Sequence, residues 1–219
     1  MNNYKLIIIL IDYFFISFIF VPIAIGILSK KQLSKPESYL LYFLISIISI
    51  EIISEIFRYN NTRNHFLYYF QTLLILIFTY LFFRENSQNN KVKKALFYCF
   101  WSIALLLPVE AIFISGFNQL NSVTKTLLLI FISFFSVFFL RKELANYNKE
   151  IKKQLFFFNI GLAVFGLISI IPSIFDKLFI ESAVNLFYFF ETLSLIGNAV
   201  AYVFFAIGFR SRKMKLSPS

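Results

Sequence analysis

YLLYFLISIISIEIISEIF, the stretch from Tyr39 to Phe57, contains no glycine, proline or basic residue, and only Glu51 and Glu55 carry charge. At ~1.5 Å rise per residue it makes a helix of about 28 Å, which matches a hydrocarbon core about 30 Å thick. In that medium each backbone N–H and C=O needs a partner within its own segment, and helix is the conformation that supplies one. The stretch therefore reads as a transmembrane helix, with two carboxylates that need an explanation.

Six further segments read the same way on either side of it. The seven expected spans are 4–28, 39–57, 66–83, 95–114, 122–140, 154–175 and 184–209. Polar clusters such as Ser29–Glu37, Arg58–Asn64 and Arg84–Lys94 separate them. Lys125 falls in the first turn of the fifth span, where a lysine can extend to the interface. The first span is longer than the apolar core of a signal peptide, lacks an A-x-A-like site and is followed by Lys30, Lys31 and Lys35. It is expected to stay as an uncleaved anchor.

The composition agrees. With 59% hydrophobic residues, 15% charged and a mean hydropathy of +0.76, the chain is too apolar for a soluble domain. Its 219 residues suit a single helical domain over 1–219. The net charge of +10 lies between apolar runs, where it sets topology and attracts anionic headgroups; no nucleic-acid partner is read from it. Cys99 is the only cysteine, so no intrachain disulfide forms, and it reads as a small packing residue. The excess of Phe, Ile, Asn, Lys and Tyr fits an AT-rich, bacterial source.

Of the 21 Lys and Arg residues, 16 fall in 29–38, 84–94, 141–153 and the tail from 210. The N-terminus and the loops at 58–65, 115–125 and 176–183 share the other 5. This asymmetry places the N-terminus outside and the C-terminus in the cytoplasm of a bacterial inner membrane. Phe66–Leu73 (FLYYFQTL) and Leu186–Leu193 (LFYFFETL) agree at four positions, with Gln71 opposite Glu191. Phe15-Ile16-Ser17-Phe18 recurs at Phe131-Ile132-Ser133-Phe134. The fold expected is thus an all-α bundle of seven helices, in which parallel triplets 1–3 and 5–7 are joined by helix 4.

This polarity and helix order resemble the superfamily that unites sugar-efflux carriers, microbial rhodopsins and seven-helix receptors. The chain is more closely similar to a group of uncharacterised bacterial seven-helix membrane proteins. The likeness rests on His65-x-x-Tyr68 at the entry to helix 3, and on Gly197-Asn198 and Ala206-Ile207-Gly208-Phe209 before a basic tail. The resemblance implies an architecture and assigns no activity.

Several chemistries find no support in the sequence. There is no phosphate-binding G-x-x-x-x-G-K-[ST] and no G-x-S-x-G. Segment 184–209 has no lysine for a retinal Schiff base, and His65 is the only histidine, too few for a zinc site. No enzyme activity, cofactor or metal is expected. A hydrolase working through paired intramembrane carboxylates is the weakest alternative.

The acids within spans are Asp12, Glu51, Glu55, Glu110 and Glu191. On the expected topology Asp12, Glu51 and Glu191 lie roughly 9–12 Å below the outer boundary, and Glu110 roughly 6 Å. Gln71 and Tyr188 share that depth, with His65 and Tyr68 above them. Glu55 and Arg58 read as an interfacial ion pair, and Glu110, just after Pro108, as reaching the headgroups or the site. Asn159, Asn198, Gly161, Gly166 and Gly197 read as helix-packing residues. A charge at the depth of Asp12, Glu51 and Glu191 costs at least ~2.5 kcal/mol, so each needs a partner, a proton or a water-filled cavity. The site residues expected are therefore Asp12, Glu51, Glu191, Gln71, Tyr68, Tyr188, Glu110 and His65. They would bind a small solute or cation in an outward-facing acidic cavity, as in a proton-coupled transporter. The alternatives are a receptor or sensor that signals through a cytoplasmic partner, and an accessory subunit of a membrane complex. The partners compatible with this are lipid, solute or cation, another copy, or other membrane proteins.

Overall fold

The computed structural model describes residues 13–60, 62, 64–114, 121–145, 153–182 and 184–211, the side chains of 175–188 and 191 excepted. Among the described residues every regular element is helical. They are α1 (Phe20–Leu28), α2 (Lys35–Tyr59), α3 (His65–Asn86), α4 (Asn90–Val109), α5 (Ser122–Ala145), α6 (Lys153–Ser182) and α7 (Val184–Ser211). Six stretches are long and apolar enough to cross a membrane: Lys35–Tyr59, His65–Asn86, Asn90–Ile114, Ser122–Ala145, Lys153–Ile174 and Thr192–Ser211. A shorter apolar helix, Tyr13–Leu28, precedes them, and residues 4–12 of the expected first span lie outside the described residues. The protein is an all-α integral membrane protein.

Local chemistry sets where these helices begin and bend. In α2 the Glu37 carboxylate accepts from the Ser34 N–H at 2.6 Å, and a proline stands in the first turn, where its missing N–H does no harm. The Asn89 side chain accepts from the Lys91 N–H at 2.8 Å and opens α4. Pro22 has no N–H and crowds the Phe18 carbonyl, so the chain tightens before α1 and Phe18 O accepts from Val21 N at 3.3 Å. Pro108 acts similarly in α4, which closes in a π turn over Glu110–Ile114.

The helices overrun the expected spans. The segment 176–183, read from its polar residues as a loop, is helical to Ser182 and thus continues α6. Asp176, Lys177 and Glu181 are all compatible with helix, and polarity alone does not end one. Cys99 is exposed and so does not serve as a packing residue. Asn159 is buried and donates to Leu155 O of its own helix at 2.9 Å.

The chain forms two units, 30–131 and 1–29 with 132–219. In the first, α2 and α3 pack as antiparallel neighbours, with Tyr42 against Phe78 and Phe57 against Phe66. Tyr80 of α3 meets Phe100 of α4 at 4.6 Å between ring centroids. In the second unit α6 packs against α7, and α1 packs on α7. There Gly161 lies under the Phe205 ring and Gly208 under Phe158, so close that a Cβ at either would collide with the ring. Gly197 faces Ile168 in the same way. Gly161 and Gly197 are packing residues, as expected.

Candidate functional site

Glu51 sits on α2 with Ser54 one turn beyond it, on the face that meets α3. Antiparallel packing brings Glu51 opposite Gln71, whose Nε2 donates to the Glu51 carboxylate at 3.0 Å. One turn further on, the Tyr68 hydroxyl is hydrogen-bonded to Ser54. The ladder closes at the end of the helix pair. There Asn64 Nδ2 donates to Ser54 Oγ at 2.6 Å and to Ser54 O at 3.2 Å. Spacings of three and four residues along both helices place these rungs on one seam.

The start of α5 joins the same seam. Asn121 occupies the position before the helix, where an asparagine ordinarily caps. Its side chain instead donates to Thr72 Oγ1 at 2.7 Å and to Tyr68 O at 3.3 Å. The cap comes from Glu110, whose two oxygens accept from Val123 N at 3.0 Å and Thr124 N at 2.7 Å, and also from the Thr124 hydroxyl. Glu110 is fully buried. A carboxylate on the free N–H groups of a helix start is well stabilised by hydrogen bonding and by the helix dipole. Its position after Pro108 is explained by this cap, with the π turn carrying the side chain to α5.

Charge is arranged around Glu51. The positive charges of Lys125 and Arg58 act on its carboxylate, and the negative charge of Glu55 opposes them. Arg58 also pairs with Glu55 at 2.6 Å, the expected ion pair, in an exposed setting that adds little stability. Among the described residues only Gln71 hydrogen-bonds the Glu51 carboxylate. His65 opens α3 one turn before Tyr68, with ring centroids 6.4 Å apart. Its Nδ1 is buried with no hydrogen-bond partner among the described residues.

Of the residues expected from sequence, Glu51, Gln71 and Tyr68 share one seam, and His65 stands at its end. Glu110 lies in the same unit but is engaged by α5. Asp12 lies outside the described residues, as do the side chains of Tyr188 and Glu191.

No known protein family, curated protein or solved structure matches the chain.

Sequence reasoning missed Ser54, Asn64, Thr72, Asn121 and Lys125. Ser54 carried a usable signal, being three residues from Glu51 on the same helix face. Asn64 and Asn121 resemble ordinary helix starts, and only the fold turns their amides toward neighbouring helices. The seam as built presents a carboxylate, a carboxamide, a phenol and an imidazole in a mainly apolar environment. Such a group can hold a proton, a cation or a hydrogen-bonding solute.

Proposed function

We propose that this protein binds a small solute or cation at an acidic site in the outer half of the membrane and moves it in a proton-coupled cycle. The observation that carries this reading is the Glu51–Gln71 bond between two helices of membrane-spanning length. A carboxylate in such a place is costly, and a protein that needed only a brace there could use an uncharged pair. Gln71 orients the carboxylate, Tyr68 and His65 supply further polar contacts, and Lys125 moderates the charge. Asp12, Glu191 and Tyr188 belong to this proposal from the sequence alone, as further polar residues expected at membrane depth.

The topology proposed has the N-terminus outside and the C-terminus in the cytoplasm of a bacterial inner membrane. We also propose the two-triplet repeat, within the bacterial seven-helix group and its transporter-like relatives. Its support comes from which helices meet. α5 contacts α3 through Asn121–Thr72 and Phe83–Phe131, and α1 packs on α7. When helix 1 is equated with helix 5 and helix 3 with helix 7, those two pairings become equivalent.

The test is Glu51→Gln, which keeps an oxygen to accept from Gln71 while removing the charge. The variant should reach the membrane and melt in detergent like the parent. In proteoliposomes it should lose cation- or solute-driven proton flux by at least about tenfold, the scale of one lost charge-assisted contact. Flux equal to the parent's would assign Glu51 a bracing role and remove the proposal.

A further inference from the structure

The fourth helix differs from the other spans in how little of it is covered. Only 17% of its spanning window is buried, against 39–50% for the other five long spans. The covered side is narrow: Leu96, Ile103, Glu110 and Ala111 are buried, and Phe100 meets Tyr80 of α3. The opposite side carries Lys91, Lys94, Tyr98, Trp101 and Leu105, all exposed. With 3.6 residues per turn these five fall within an arc of about 80°. They form one stripe, with two ammonium groups at its end and two amphipathic rings below them.

The order along the stripe follows the order of a phospholipid. Lys91 and Lys94 sit in the first turn and a half of α4, where the backbone N–H groups also favour negative charge. Neither lysine has an ion-pair partner among the described residues. Arg84, by contrast, lies over the Tyr80 ring, 6.0 Å from its centroid. Tyr98 is 66% exposed and Trp101 47%, about one and two turns further in, the level at which such rings settle in a bilayer. Phe97 holds the Trp101 ring edge to face, with centroids 6.2 Å apart. Beyond it Leu105, 62% exposed, continues the stripe as plain hydrocarbon.

We infer that the Lys91–Lys94–Tyr98–Trp101 face of α4 is a binding site for an anionic phospholipid. The lysines take the phosphate and the negatively charged headgroup, Tyr98 and Trp101 lie along the glycerol region, and the acyl chain follows Leu105. Charge complementarity selects this occupant. A second copy of the chain would bring the same lysines and leave them unneutralised.

Trp101 is the only tryptophan of the chain and so reports on its own surroundings. The full chain is reconstituted in phosphatidylcholine vesicles, and tryptophan quenching is followed as acyl-brominated phosphatidylglycerol or acyl-brominated phosphatidylcholine is titrated in. Brominated phosphatidylglycerol should half-quench at a mole fraction roughly twentyfold lower, the joint effect of two lysines. K91Q and K94Q should each reduce that preference by about fivefold, the effect of one basic residue near a charged membrane surface. K93Q removes the same charge from the other side of α4 and should leave the preference intact. Equal quenching by both lipids would overturn the site. So would an equal loss in K93Q, which would mean a diffuse field, or weak quenching by both, which would mean that protein covers the stripe.

Discussion

Glu51 and Glu110 are carboxylates inside apolar helices, and their surroundings give them different work. Glu110 accepts from two backbone N–H groups and a hydroxyl at the start of α5, so its charge is absorbed by a helix end. Glu51 has one carboxamide donor and distant positive charge. Replacing Glu110 with alanine strands three donors, of which the Thr124 N–H and hydroxyl are buried. We expect Glu110→Ala to lose about 1–3 kcal/mol in a denaturant titration, with Glu110→Gln between it and the parent. Parent-like stability in Glu110→Ala would show that the cap contributes nothing. That Glu51 needed an explanation was legible from residue type and depth. The partner of Glu110 was not, because thirteen and fourteen residues separate it from Val123 and Thr124, and the path of the chain between them decides whether they meet.

Among the elements, α6 and α7 owe their close approach to side chains that are missing. Phe158 and Phe205 lie on the backbone at Gly208 and Gly161, so each ring fills the place of a Cβ. Gly208→Leu must displace the Phe158 ring and should cost about 1–3 kcal/mol, read as a lower melting temperature in detergent. Val203→Leu, at a position 46% exposed on the same helix, should melt like the parent. An unchanged midpoint for Gly208→Leu would mean that the two helices are not held at this distance. Helix existence was legible from the apolar runs. Helix ends were less so, since α6 runs on through Ser182 where polar residues suggested a loop.

For the whole molecule, the charge asymmetry is the property that carries a prediction. The basic residues gather in alternate connections, and moving them across a membrane is unfavourable. A fluorescent protein fused after Ser219 should glow in cells, and a phosphatase fused there should be silent. An active phosphatase would reverse the proposed orientation and with it the proposed outward-facing site. The same arithmetic leaves α4 with lysines at one end and exposed rings below them, which connects the topology to the proposed phospholipid site.

Apolar runs of about twenty residues determine membrane helices by themselves, because the bilayer leaves each segment to satisfy its own backbone. Six of the seven expected spans, and the residues too polar for their depth, could therefore be read from the chain alone. Which polar side chains meet depends on how helices turn toward one another, and no periodicity in a uniformly apolar segment records that. The tertiary structure alone decided that Glu51 faces Gln71, that Asn121 reaches Thr72 and Tyr68 in place of its own helix, and that Glu110 caps α5.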